Sequence, residues 1–503
     1  MARRWWLIAV AGVAAIASAG LLLNGNIRYQ VGVGRVSGYS VAETFSHRPI
    51  AFRLLSAAQA WLPEQVSLLA GPPGSWPRVV VFEAGFRLVG VAAAAGAALV
   101  LWRGLARVWG SLAWPYGFAA FAVLAFTAPA TGEPDWMAAL FTVAAIGVSL
   151  LGRPGVGTGV AGILFAAAAL VKISTLPVAL AGLLVLWVVD RGRGWIAAAA
   201  ALVSGLVAVG LIWWLGPWES GWLLDIKALQ PDPWTRQHAV EAGNYLMNLA
   251  ARWPTVALVP AFFVRAPLKE SWAATIGLGL AGFTFVYQGQ YYVYHSIGFV
   301  TLTALLAVRT IQRSRAALRW PLLALSAWTL ILFVLPASWR TAHPTRLYAV
   351  TAAWMAAVVV WQWAGLRRRP TLSRDRTAWW AALLVLAAML ATQTPFSAES
   401  LTMNTAGRTA WNSNLALRAD LADAQQVHAV IGADTAVVYL TFGADTYTLG
   451  NPTHCRYPSP LFLQRAHAAQ LVSLATRQEN LACLTNSSAR WLIWDRDWLH
   501  RKT

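Results

Sequence analysis

Charge is what this sequence has least of. Of its 503 residues only 12% are Asp, Glu, Lys or Arg, about half the share usual in soluble domains, whereas 58% are hydrophobic. A water-facing surface cannot be built from so few charges. Acidic residues are the scarcer sign, 20 against 39 basic ones, for a net charge of +19. Cysteine is nearly missing: Cys455 and Cys483 are the only two. That argues against a cysteine-held metal cluster and leaves room for one disulfide if the end of the chain faces an oxidising compartment. There is no phosphate-cradling glycine-rich loop, no zinc-ligand spacing, no nucleophile elbow and no redox-cofactor motif.

What is present is long apolar stretches. Many run for about 17 to 22 residues, the length that crosses a hydrocarbon core of about 30 Å in an α-helix. Spans are expected near residues 5–23, 84–102, 111–130, 136–152, 157–171, 176–189, 195–215, 254–264, 272–287, 296–308, 320–337, 347–365 and 377–394. The first could be read as a signal peptide cut after Ala17-Ser18-Ala19, but Leu21-Leu22-Leu23 carries the apolar run past that point, so it is expected to stay. The fold class is a polytopic all-α membrane protein of about thirteen transmembrane helices with a small C-terminal α/β extracytoplasmic domain. The membrane part is 1–394, with long external loops at 24–83 and 216–253, and the soluble part is 395–503.

The basic residues punctuate the apolar runs, so the positive charge speaks for a bilayer and not for nucleic acid. With Arg3 and Arg4 in the cytoplasm, the connections of even number fall on the same side, and these carry the charge. Counting Arg3 and Arg4, 18 basic residues lie there against three, Lys172, Arg340 and Arg346, in the short opposite connections. The positive-inside rule then orients a multi-pass plasma-membrane protein with a cytoplasmic N-terminus and an external tail.

In the first external loop, Ile50, Leu54, Leu55, Ala58, Trp61 and Leu62 follow Pro49 at helical spacing, which predicts a helix lying in the membrane interface. The second carries Trp218, Trp222, Trp234 and Trp253, rings suited to the headgroup level. In the tail, Leu415 to Ile431 and Pro460 to Arg477 have helical periodicity, and Ala436–Phe442 and Arg490–Trp494 are strand-like.

Ionisable residues held near lipid are costly, so those that persist at external helix ends are candidates for chemistry. Four clusters qualify. Glu43 precedes His47-Arg48-Pro49, with Arg53 beyond: a carboxylate able to take a proton and cations able to neutralise a phosphate, or simply a wet loop before a helix. Glu133-Pro134-Asp135 offers two carboxylates as base, ligand or orienting group, or only a helix cap. Lys172 is a point charge for an anion or a snorkelling side chain. Gln288, Gln290, Tyr292, Tyr294 and His295 form a polar pocket or an aromatic belt. The cytoplasmic loops are too short for a nucleotide-binding domain, so an activated donor should arrive already in the membrane.

This pattern resembles the integral-membrane glycosyltransferases of the C superfamily, which take a sugar from a polyprenyl phosphate carrier at the external face. Glu43 with His47-Arg48-Pro49 stands where the family has its acidic first-loop motif. Gly132 to Asp135 resembles the second acidic motif, Lys172 falls at a lysine turn, and Gln288 to His295 is similar to a Gln-x-Lys-x-x-x-Tyr-His element with Gln290 in place of lysine. The first loop has glutamate where aspartate is usual, which leaves Glu43 and Asp135 both open as the base, with Glu133 beside them. The resemblance implies inverting transfer of a sugar, by weak analogy mannose or arabinofuranose, to a cell-envelope glycan, lipid or protein. His47, Arg48, Lys172 and His295 would hold the donor phosphate, and Arg53, Gln288, Gln290, Tyr292 and Tyr294 the substrates. No cofactor is required, although a divalent metal ion could share the phosphate. The alternative is a transporter or lipid flippase, which would place its ionisable groups or helix breaks at the midplane.

Overall fold

The computed structural model describes Leu23 and residues 25–41, 43–44, 48–126, 130–216, Glu219, 236–288, 291–367, 409–441, 444–458 and 475–494. The first and last expected spans and the boundary drawn at 394/395 lie outside the described residues, Leu23 aside. The chain is a bundle of apolar helices. Helix α1 (Gly25–Val36) and α2 (Ile50–Ser67) precede α3 (Trp76–Trp109), α4 (Trp114–Phe126), α5 (Pro134–Leu151), α6 (Pro154–Leu170), α7 (Leu176–Val189) and α8 (Arg191–Leu215). Then come α9 (Arg236–Arg252), α10 (Val259–Arg265), α11 (Leu268–Gln288), α12 (Ile297–Val334), α13 (Ala337–Ala342) and α14 (Pro344–Arg367).

Among the described residues, five helical stretches are long and apolar enough to cross a membrane. One of them, Trp76–Ala125, is a hairpin. Gly110, at a φ of 58°, ends α3, and α4 returns along it so that Gly117 faces Ala98 and Trp102. Small residues let helix backbones approach closely where no hydrophobic force drives them together. Thus Gly147 of α5 packs on the backbone of α3 at Leu101, and Gly162 of α6 on Ala200 of α8.

Residues 296–308 and 320–337, expected as two spans, form the single helical run α12. Its two halves still fold back on each other. Thr303 lies 3.4 Å from Thr255 and Thr329 donates to the Ala251 carbonyl at 3.3 Å. A straight helix would set Thr303 and Thr329 about 39 Å apart, so the chain reverses between them. At that reversal Arg309 and Arg313 meet Glu270 at 3.1 and 2.8 Å, and Gln312 accepts from Tyr116 at 3.0 Å. Arg265 donates to the Leu366 carbonyl at 2.6 Å. One end of the bundle therefore collects the connections that the span count put on the basic side.

Helix α2 follows directly on Pro49, which sits just before its first residue. The segment expected as the second external loop, 216–253, contains α9, a helix that its tryptophans had not suggested. In the C-terminal part, α15 (Ala410–Ile431), α16 (Asp445–Leu449) and α17 (Ala475–Asn486) accompany β1 (Val437–Leu440) and β2 (Trp491–Trp494), which pair in parallel with Val437 opposite Trp491. Cys455 and Cys483 form a disulfide. Most of the helix expected at Pro460 to Arg477 lies outside the described residues.

The C-terminal part is joined to the bundle by a buried carboxylate. Glu83 of α3 is fully buried and accepts from Arg28 at 2.9 Å, from the Leu23 backbone at 2.7 Å and from the Tyr447 hydroxyl at 2.9 Å. Leu417 and Leu421 pack into the same apolar core as Phe82 and Phe86, and Gly32 of α1 lies against the Tyr447 backbone. Removing one partner of a buried charge pair leaves the other uncompensated. Glu83→Ala should therefore lower the stability of the detergent-purified protein by about 3–5 kcal/mol, and Tyr447→Phe by about 1 kcal/mol. Thermal unfolding checks both, and an unchanged midpoint for Glu83→Ala would remove this joint from the account.

Candidate active site

At the opposite end of the bundle from Glu270, four short segments converge. Gly132 has a φ of 86° and a side chain there would strike the Phe86 ring, so the turn before α5 requires glycine. That turn makes Glu133 the N-cap of α5, with Pro134 and Asp135 in its first turn. Both carboxylates are buried, where the helix N-terminus favours negative charge. Between α6 and α7 a single 3₁₀ turn, Ile173–Thr175, follows Lys172. Another, Val293–Ser296, opens α12 and carries Tyr294 and His295 inward.

Lys172 Nζ lies 3.2 Å from Asp135 Oδ2 and 3.3 Å from His295 Nε2. Asp135 Oδ1 is buried and makes no hydrogen bond among the described atoms. Burial pushes the Lys172 ammonium below the ordinary lysine range, with Asp135 holding it up and Arg48 pressing it down. Arg48, just before α2, is buried and donates to the Tyr294 hydroxyl. Burial opposes its charge, but Tyr294, Glu133 and Asp135 more than offset this and hold the guanidinium above its usual value. Two cations, a histidine and two carboxylates thus share one largely buried cluster at a helix end, whose cations have the chemistry to meet an anionic group.

No protein-family model matches the sequence, and no curated protein does. Among solved structures, the crystal structure of ArnT from Cupriavidus metallidurans in the apo state matches 90% of this chain and 86% of its own, with a TM-score of 0.56 at 15% identity. The crystal structure of the same protein bound to undecaprenyl phosphate matches over the same shares, with a TM-score of 0.55. The chain has the ArnT fold. At this identity the likeness is one of fold.

Within this ArnT-like bundle the expected site residues divide into three groups. Arg48, Glu133, Asp135, Lys172, Tyr294 and His295 come together. Glu43 does not join them: it is exposed, accepts from the Ser40 hydroxyl at 2.7 Å and from its backbone at 3.3 Å, and these bonds hold its pKa down, with Arg456 adding to the effect. Arg53 is engaged elsewhere, buried against Glu219 at 2.6 Å. His47, Gln290 and the side chain of Gln288 lie outside the described residues. Tyr292 is exposed and stacks on Tyr294 with ring centroids 5.5 Å apart.

Asp135 has no basic neighbour in its own loop, yet Lys172 and Arg48 supply two from elsewhere. Tyr245 of α9 was not singled out. Its hydroxyl donates to the Tyr292 carbonyl at 2.9 Å and its ring packs on Tyr291 and Phe285, so it holds the turn that presents His295. No periodicity marks that role.

The pair can be tested by a double-mutant cycle. Lys172→Met leaves Asp135 charged and buried, and should cost about 3–5 kcal/mol. Adding Asp135→Asn should restore part of the lost thermal stability. A double variant less stable than either single one would show that the two residues do not compensate each other.

Proposed function

We propose that this protein transfers a sugar from a polyprenyl-phosphate donor to a cell-envelope acceptor at the external face of the membrane, by a single inverting displacement. The observation that carries the reading is the cluster of Arg48, Lys172 and His295 around buried carboxylates, at the external end of an ArnT-like bundle. Undecaprenyl phosphate is the lipid bound in one of the two matching ArnT structures. A donor of this kind needs no cytoplasmic nucleotide domain, in keeping with the short basic loops.

In this mechanism the lipid phosphate leaves the anomeric carbon as Arg48, Lys172 and His295 neutralise it. A base on the opposite side of the sugar takes the proton of the acceptor hydroxyl as its oxygen attacks. In this reading Asp135, 3.2 Å from the Lys172 ammonium, stands on the leaving-phosphate side. Its role is to aim Lys172, with Oδ1 left to accept from the donor. Glu43 belongs to the Arg48 loop but stands apart from the cations, and it is our choice of base. A divalent ion could share the phosphate, with Glu133 and Asp135 as nearby carboxylates. Mannose and arabinofuranose are the donor sugars we would try first. A transporter or flippase is less well supported, because the charged cluster gathers at one end of the bundle.

Purified protein incubated with polyprenyl-phosphate sugars should release polyprenyl phosphate or transfer the sugar. Glu43→Gln should lower kcat by about 10²–10⁴ with little change in the donor KM, whereas Asp135→Asn should also raise the donor KM. Near-full activity of Glu43→Gln beside a dead Asp135→Asn with an unchanged KM would reverse the assignment. Absence of hydrolysis or transfer with every donor would count against the transferase itself.

The disulfide supports an external C-terminal part, since such bonds persist in oxidising compartments. In intact spheroplasts Cys455 and Cys483 should react with a membrane-impermeant maleimide only after reduction. Labelling that requires permeabilised membranes would overturn the orientation.

A further inference from the structure

Between α1 and α2 runs an open groove of about 280 Å³, away from the residues gathered around Lys172. Its walls are apolar, formed by Val31 and Gly34 on one side and Ala57, Ala60 and Trp61 on the other. Polar side chains, among them Gln30, Thr44, Arg53 and Gln65, also line it. Ser56 is only 7% exposed, lines the groove, and its hydroxyl makes no hydrogen bond among the described atoms. Arg35 also lines the groove, fixed by an ion pair with Glu64 and by the faces of Phe82 and Tyr447, 4.4 and 5.0 Å from its guanidinium. Arg78 shares Glu64 at 3.2 Å, so this rim carries two cations and one carboxylate. Just outside, α2 exposes Trp61 at 66% and Leu62 at 53%, with Leu69 beyond its end at 90%, a face suited to the bilayer interface.

We propose that the groove holds one acyl chain of an anionic membrane lipid. The lipid phosphate lies against Arg35 and Arg78, and the ester carbonyl of the chain accepts from the Ser56 hydroxyl. An apolar trough keeps water out poorly unless an apolar chain fills it, and an ester answers the buried Ser56 hydroxyl that water would otherwise have to satisfy. A polyprenyl chain carries no such carbonyl, which separates this site from the donor site. The excess positive charge of the rim selects an anionic over a zwitterionic headgroup.

The experiment uses the full-length protein in nanodiscs containing phosphatidylglycerol with a photoactivatable diazirine in one acyl chain, followed by peptide mapping. Adducts should concentrate on peptides holding Val31 to Gly34 and Ala57 to Trp61, above the labelling of α8, whose hydrophobic face is broadly exposed. The same chain on phosphatidylcholine should label the groove several-fold less while labelling α8 equally. Ala57→Phe should abolish groove adducts and leave those on α8 and the unfolding transition in place. Should that variant unfold, the wild-type comparison decides. Groove labelling no stronger than that of α8 overturns the site, and equal labelling by both lipids overturns the anionic choice. Either result leaves the transferase reading untouched, because no residue of the proposed catalytic cluster is involved.

Discussion

An ammonium held out of water needs a carboxylate beside it, and the architecture at one end of this bundle follows from that need. Lys172 and Arg48 come from segments far apart in sequence, and neither can be buried alone without losing its hydration. Asp135 and Glu133 make the burial tolerable, but only if α5 begins at that point, which in turn requires the glycine turn at Gly132 against Phe86. The α6–α7 turn must then be short enough to deliver Lys172, and the turn before α12 must bring His295 to the same place. Four connections are therefore fixed together by one electrostatic condition, while the helices between them can be little more than apolar cylinders.

The same condition recurs elsewhere in the bundle. Arg53 finds Glu219, which also accepts from the Ile50 backbone at 2.8 Å, so this one carboxylate clamps the start of α2. Arg28 finds Glu83. With only 20 acidic residues available, several are committed to buried cations, and an acidic residue in such a chain is better read by asking which cation it neutralises than by its local motif. At the basic end Glu270 serves Arg309 and Arg313 together.

Much of this was legible in the sequence. Apolar length marked most of the helices between α3 and α14, though not α9 or α13, because in lipid every backbone group must be satisfied inside its own helix. The reversal within α12 was marked by arginines, even though helical geometry continues through it. Glu133, Asp135, Lys172 and His295 could be picked out because each sits at a helix end beside apolar runs. What could not be read was pairing. Nothing local distinguishes Glu43, which folds back on Ser40, from Glu133, which is buried. Nor does the motif that contains Arg53 reveal that its partner is Glu219. Tyr245 and Glu83 carry no signal of period or composition, since their importance comes wholly from contacts with residues distant in the chain.

The joint at Glu83 has a meaning for the order in which the protein is made. Arg28 and Glu83 leave the ribosome early and can neutralise each other as the first helices enter the membrane. Tyr447, Leu417 and Leu421 are synthesised only after all the described helices of the bundle, and they complete a core whose other walls have long been in place. The side of Phe82 that Tyr447 covers, and the place on Glu83 Oε1 that its hydroxyl takes beside Arg28, would thus wait through most of translation, open to lipid and water, until that segment docks. The C-terminal part acts in this sense as a final seal on a structure begun at the other end of the chain, and a nascent bundle that lacks it is a natural mark for membrane quality control.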